Sequence, residues 1–200
     1  MQTGKNTIDS EIFMLKTFPA LQTSRLDLIE IKQENLTDIF ELFNDAKVTK
    51  FYNIATLANV GEAQRIIDWF QSRFLEKSGI RWGIALKGKN KIIGTVGFNN
   101  FTKNHRANIG FDLQSSFWNN GYITEALAVI LKFGFSQLEI NRIEAEVMQG
   151  NIASEKVLSK LGFKNEGGLR HWLYWNEFHF DMTMFSILRS DVSLVKSVLS

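Results

Sequence analysis

Two stretches of this chain carry the residue types and spacing that could do chemistry. The first is Trp118-Asn119-Asn120-Gly121-Tyr122-Ile123-Thr124-Glu125-Ala126. It follows an alternating run and opens a segment with helical spacing. Its backbone N–H groups therefore stand at a helix N-terminus, where the helix offers them no partner. Together with the helix dipole they form a seat for an anion such as a pyrophosphate. Gly121 lets the backbone approach such a ligand closely. An ordinary strand–helix turn would use the same residues. The second stretch begins with Glu144 and Glu146, which share one face of the strand-like run Arg142 to Met148. Ile143, Ala145 and Val147 take the other face. The stretch continues through Asn151-Ile152-Ala153-Ser154 and Val157-Leu158 to Leu161-Gly162-Phe163. Carboxylates placed this way can take part in proton transfer, and they can equally be solvated surface groups.

Other chemistries are removed by the composition. There is no cysteine, so disulfides, zinc–thiolate sites, iron–sulfur ligation and cysteine nucleophiles drop out. That is compatible with a reducing cytoplasm, the expected location. His105, His171 and His179 lack metal-ligand spacing, and no metal is expected. The formal net charge is +2, with basic and acidic residues interspersed. Nucleic-acid binding normally needs a dense basic face and is not expected. The early apolar run Ile12 to Leu15 is too short for a signal-peptide core. No apolar stretch nears the roughly 18 residues that would suggest a membrane span. Lipidation motifs are absent, since Met1 is followed by Gln2 and no cysteine stands near the end.

The elements that must position these stretches can be read from periodicity. A length of 200 residues fits one domain. We expect an extension over 1–20, a domain over 21–189 and a tail over 190–200, where Val192, Val195 and Leu199 have near-helical spacing. A strand is predicted over Arg25 to Ile31 and a helix over Glu34 to Asn44. Ala63, Ile66, Ile67, Phe70 and Phe74 mark a second helix. Trp82 to Leu86 and Ile92 to Phe98 read as strands around the hairpin turn Lys87-Gly88-Lys89-Asn90. Ala107 to Leu113 reads as another strand, and Gly121 to Gln137 as a helix. Strand Arg142 to Met148 and helix Ser154 to Leu161 follow, with Gly162 as the helix stop. Strands near Phe163 to Gly168 and Phe178 to Leu188 flank an aromatic connection containing Trp172, Tyr174 and Trp175. The sum is an α/β (α+β) domain with a mixed sheet.

The ordered set of motifs resembles the GNAT superfamily of N-acetyltransferases, and within it the ribosomal-protein N-terminal acetyltransferase branch. The matching pieces are Leu21-Gln22-Thr23-Ser24-Arg25-Leu26, Ile92-Ile93-Gly94, Asn108-Ile109-Gly110-Phe111, Trp118 to Ala126, Asn141-Arg142-Ile143-Glu144-Ala145 and Asn151 to Phe163. The resemblance implies a twisted, mostly antiparallel sheet of about seven strands with about four helices, its fourth and fifth strands splayed. It implies acetyl-coenzyme A in the gap, with the pantetheine pairing along Phe111, Asp112 and Leu113 like an added strand. The pyrophosphate would sit on the N–H groups of Phe117, Trp118, Asn119, Asn120, Gly121, Tyr122 and Ile123, with Thr124 beside them, and Asn151 would bond the pantetheine.

Three positions depart from the family pattern, and those in the phosphate loop are expected to weaken cofactor binding rather than abolish it; there Ser116 stands where a long polar residue is usual. Asn119 stands where glycine is usual, and asparagine is the non-glycine residue that tolerates positive φ best. Leu158 stands where many relatives have a tyrosine acid. The branch implies Ser154 in that role, although a helix-start hydrogen bond would equally explain it. Glu146 is the implied general base, with Glu144 as the alternative. A backbone donor for the oxyanion is implied near Gly110 to Asp112, where a glycine in a strand can mark a bulge. The aromatic segment with Phe178 and Phe180 would border the acceptor or simply pack the sheet.

The acceptor is expected to be a primary amine, foremost the N-terminal α-amine of a ribosomal protein. A small-molecule amine such as a polyamine or antibiotic, or a non-catalytic acyl-coenzyme A binding module, are the alternatives. Either a monomer or a homodimer fits.

Overall fold

The computed structural model describes residues 17–191. The expectations for Ile12 to Leu15 and for Val192, Val195 and Leu199 lie outside the described residues. Within them the chain forms β1 (Leu21–Gln22), β2 (Leu26–Glu30), α1 (Leu36–Phe43), α2 (Ala46–Thr49), α3 (Val60–Leu75), β3 (Ile80–Leu86), β4 (Ile92–Phe101) and β5 (Arg106–Leu113). Then come α4 (Tyr122–Ser136), β6 (Arg142–Met148), α5 (Ile152–Lys160), β7 (Lys164–Trp175) and β8 (Phe178–Leu188). The strands make one sheet in the order β1-β2-β3-β4-β5-β6-β8-β7. Every neighbouring pair is antiparallel except β5 and β6, which are parallel.

Helices cover both faces, and the strand period decides what each face meets. Ile92 packs with α1 and α3 through Ile39, Leu42, Phe43, Ala63, Ile67 and Phe70. Its neighbour Ile93 points the other way, into a larger core with Leu127, Ile130 and Leu131 of α4 and Leu158 of α5. Trp82 is fully buried, and its indole N–H donates to the Pro19 carbonyl at 2.6 Å. Phe18 packs tilted against Phe74 and edge-on against Trp82.

The structure corrects the sequence reading at three places. β1 and α2 were not expected; at two and four residues they are too short to show a period. The aromatic segment is not a connection but the second half of β7. Register shifts at Asn165/Gly167 and Leu169/Leu173 break its alternation, and His171 has a φ of 51°. The Asp181 carboxylate takes up the His171 backbone N–H at 2.7 Å and holds that kink. The bulge expected near Gly110 to Asp112 lies instead across the ladder on β4. Gly110 and Asp112 pair regularly with Gly97 and Thr95, and the shift falls between Phe98 and Asn100.

Candidate active site

The site opens where two neighbouring strands part. β5 and β6 pair at Arg106↔Arg142, Ala107↔Ile143 and Asn108↔Glu144, and there the ladder ends. Beyond that point β5 stays with β4 as far as Leu113, while β6 follows β8 to Met148. A cavity of about 200 Å³ fills the fork. Asn108 to Phe111 form one wall and Ala145 to Met148 the other. The start of α5 closes it with Asn151 and Ser154, and Phe51, Tyr52 and Asn53 reach in from the α2–α3 connection. Among the described residues, the backbone groups of Ile109 to Leu113 that face β6 have no ladder partner there.

At one end of the fork lies the loop before α4. Gly121 is left-handed, with φ 77° and ψ 4°, and caps the helix. A β-carbon built on it would find its nearest neighbour, Arg25 Nη2, 3.6 Å away, so the conformation rather than crowding calls for glycine. Asn119 has a φ of 62°, so it does keep the left-handed turn. The Asn120 side-chain amide donates to the carbonyls of Phe117 and Trp118 at 3.2 and 2.9 Å.

Two expected donors are spent inside the loop. Phe117 N–H donates to Gln114 and Trp118 N–H to Ser115. The first helical bond is Glu125 N–H to the Gly121 carbonyl. Among the described residues, the N–H groups of Asn119 through Thr124 have no acceptor. Six consecutive donors at a positive dipole end form an anion seat. Arg25 braces it: Nη1 donates to the Asn120 carbonyl at 3.1 Å, Nε meets Glu125 at 2.7 Å, and the guanidinium lies over the Tyr122 ring. Burial pushes the Glu125 carboxyl up, but hydrogen bonds from Thr23 and Arg25 outweigh it and hold the group below its usual range.

The two glutamates separate. Glu144 is buried; one oxygen accepts from Arg142 at 2.7 Å and the other from Arg106 at 3.5 Å. It does not line the cavity. Glu146 does, with one oxygen 3.5 Å from Asn108 Nδ2 and the other accepting the Trp172 indole N–H at 3.1 Å.

Asn151 spends its side-chain oxygen on the α5 N-terminus, accepting Ser154 N–H at 3.2 Å. Its Nδ2 is the donor it can offer to the cavity. The helix-start bond thus belongs to Asn151, and Ser154 enters it through its backbone alone. Leu158, at the position of the tyrosine of many relatives, is fully buried in the core.

The pantetheine pairing expected along Phe111 to Leu113 would use the backbone, and the Asp112 side chain and the Leu113 carbonyl have partners of their own. The Asp112 carboxylate is buried against the Arg81 guanidinium, with Thr95 Oγ1 donating at 3.1 Å. Burial pushes that carboxyl up, against the pull of Arg81 and Thr95. The Leu113 carbonyl accepts the Trp118 indole N–H at 2.8 Å.

Sequence reasoning missed Tyr52, Asn53 and Asn99 in the lining. They lie on a connection and at a bulge, where no period marks them. Burial, reinforced by the Asp112 charge, pushes the Tyr52 hydroxyl up to about 12, so it stays a neutral donor.

Residues 25–164 match the family described as an acetyltransferase (GNAT) domain. The chain belongs to the GNAT family. As a GNAT enzyme it is an acetyl-coenzyme A-dependent N-acetyltransferase. It is 36% identical over 173 residues to YoaA, an uncharacterized N-acetyltransferase of Bacillus subtilis (strain 168), covering 86% of this chain and 98% of that one. Among solved structures it superposes on RimL, the ribosomal L7/L12 alpha-N-protein acetyltransferase in complex with coenzyme A. The TM-score is 0.76 at 19% identity, over 85% of this chain and 98% of RimL. The microcin C7 self-immunity acetyltransferase MccE, in complex with acetyl-CoA and AMP, gives 0.73 at 23% identity over 83% and 93%. At these identities the two structures establish a shared GNAT fold.

Proposed function

We propose that this acetyltransferase modifies the N-terminal α-amine of a protein, a ribosomal protein being the first candidate, with Glu146 as the general base. The observation that carries the reading is the environment of Glu146. It is the carboxylate that lines the fork, and both its oxygens meet neutral donors rather than arginines.

Such a base suits an α-amine. With a pKa of about 8, that amine loses its proton at pH 7.4 for roughly 0.8 kcal/mol, against about 4 for a lysine. The lone pair then attacks the thioester carbonyl carbon. An amide forms, the carbon–sulfur bond breaks, and the leaving thiolate takes up the proton that the attacking nitrogen loses, departing as the free thiol. Unpaired N–H groups on the β6 side of Ile109 to Phe111 stabilise the oxyanion, a contribution of about 3–4 kcal/mol per donor. Ser154 hydrogen-bonds the leaving sulfur, and Asn151 Nδ2 and the N–H groups of Asn119 to Thr124 hold the rest of acetyl-coenzyme A.

The acceptor side favours a peptide over a polyamine. Asn53 in the lining presents an amide, which matches peptide groups. A polyamine would find one carboxylate for several charges. A ribosomal-protein acceptor would place the enzyme in the cytoplasm. The test is a panel of N-terminal peptides, polyamines and aminoglycosides offered with acetyl-coenzyme A, products read by mass. Peptides acetylated at the α-amine should show the highest kcat/KM. A polyamine or aminoglycoside leading the panel would sink the reading.

A further inference from the structure

We infer that Asn99 and Asn108 are positioning residues, forming a one-way chain of hydrogen bonds that runs from the buried Arg81 guanidinium to the Glu146 carboxylate and fixes that carboxylate in the fork. This rests on the reading of Glu146 as the base.

The links are continuous. Arg81 Nη1 donates to Asn99 Oδ1 at 3.2 Å. Asn99 Nδ2 donates to Asn108 Oδ1 at 2.8 Å. Asn108 Nδ2 points at Glu146 Oε1 at 3.5 Å. The chemistry of the two ends sets the direction. A guanidinium can only donate and an ionised carboxylate can only accept. Each amide between them therefore has one orientation that satisfies both neighbours, oxygen toward Arg81 and nitrogen toward Glu146. At the far end Arg81 is itself fixed, 5% exposed, with Nε on Thr95 Oγ1 at 2.9 Å and Nη2 on Asp112.

The backbone is shaped around this chain in two independent ways. Asn99 is the extra residue of the β4 bulge, unpaired between Phe98↔Ile109 and Asn100↔Asn108. Bulges beside active sites re-aim a side chain. Its carbonyl is taken up by Arg73 Nη2 from α3 at 2.6 Å. Gly110 makes the space. A β-carbon there would lie 2.8 Å from Arg81 Nη1 and 3.0 Å from Asn99 Nδ2, so any other residue would push the first link apart.

The cavity holds few competing charges. Its lining brings Tyr52 and Asn53 from the α2–α3 connection and Asn151 and Ser154 from the start of α5, and Trp172 of β7 bonds Glu146. Tyr52, pushed up to about 12, stays neutral through the acid range. Glu144, on the same strand, is paired with Arg142 and Arg106.

Asn99→Asp tests the chain with almost no change of shape. The new carboxylate still accepts from Arg81 but cannot donate. Asn108 must turn its nitrogen toward it and show its oxygen to Glu146. Asn100→Asp adds the same charge one residue along, outside the chain. The probe is the carboxyl ¹³C titration of Glu146 in ligand-free protein, its resonance assigned by loss in Glu146→Gln. The expected result is a midpoint about one pH unit higher in Asn99→Asp and unchanged in Asn100→Asp. The acid limb of the kcat/KM pH profile should move up with that midpoint, and the rate on its plateau should fall about tenfold as Glu146 loses its fixed orientation, with acetyl-coenzyme A affinity unchanged. Equal midpoints in the two variants, or no shift in Asn99→Asp, would overturn the proposal. Should Asn99→Asp fail to fold, Asn108→Leu removes the last donor and must raise the same midpoint. A raised midpoint with full activity in Glu146→Gln would defeat the base and leave the positioning chain standing.

Discussion

At the scale of single residues, the site depends on which carboxylate is left without arginines. Glu146→Gln should lower kcat by about 10²–10⁴-fold with acetyl-coenzyme A affinity intact, as loss of a general base does. Glu144→Gln should act on the fold instead. It takes a charged acceptor from Arg142 and Arg106, and its effect belongs in the melting temperature with kcat for the surviving folded protein near the parent's. Steady-state rates and thermal melts on both variants separate the roles. The sequence put both glutamates on one face and could go no further, because alternation reports only the face. The distinction arises from the parallel register Asn108↔Glu144, which sets Arg106 beside Glu144 and Asn108 within reach of Glu146. Gly110 teaches the same lesson. A glycine in a strand suggested a bulge, yet the residue is small because Arg81 and Asn99 press on it, and contacts between three strands leave no trace in local sequence.

At the scale of elements, the loop before α4 was the most legible part of the molecule. Its glycine, its helix start and its tolerance of asparagine at positive φ could be argued from the residues alone. The structure agrees, with Gly121 at 77° and Asn119 at 62°. What could not be read was which donors the loop keeps for itself, since that depends on the turn over Gln114 to Trp118. Asn119 therefore makes a clear prediction. Asn119→Gly should preserve acetyl-coenzyme A affinity. Asn119→Val, a β-branched residue forced to positive φ, should cost about 1–2 kcal/mol and weaken binding roughly tenfold. Calorimetric titration and thermal melting of the two variants check this. The short elements β1 and α2 and the kinked half of β7 were illegible for a different reason. A period needs several turns of helix or pairs of strand residues to show, and these segments either lack the length or are interrupted by bulges.

At the scale of the whole molecule, the fork is a consequence of competition for β6. Its antiparallel ladder with β8 runs the full length from Arg142↔Leu188 to Met148↔Met182, while the parallel contact with β5 covers three pairs. Parallel pairing is slightly weaker per residue, so the sheet parts on that side. The separated half is tied together by Glu166 of β7, which accepts from Arg142 of β6 and from Ser186 of β8 at 2.6 Å. The Arg142 guanidinium and the Ser186 hydroxyl hold its carboxyl down at about 2. Fold class and the parting of these two strands were legible through resemblance to a family, which carries tertiary information that periodicity lacks. The cavity lining from Tyr52, Asn53 and Asn99 was not, because they converge from a connection and a bulge. All of this rests on the fork and its loop receiving acetyl-coenzyme A. The most direct test is calorimetric titration of the folded protein with acetyl-coenzyme A, beside a Gly121→Val variant. Micromolar binding by the parent, lost in the variant, is the predicted result; a folded parent that does not bind, or a variant that binds equally well, would contradict it.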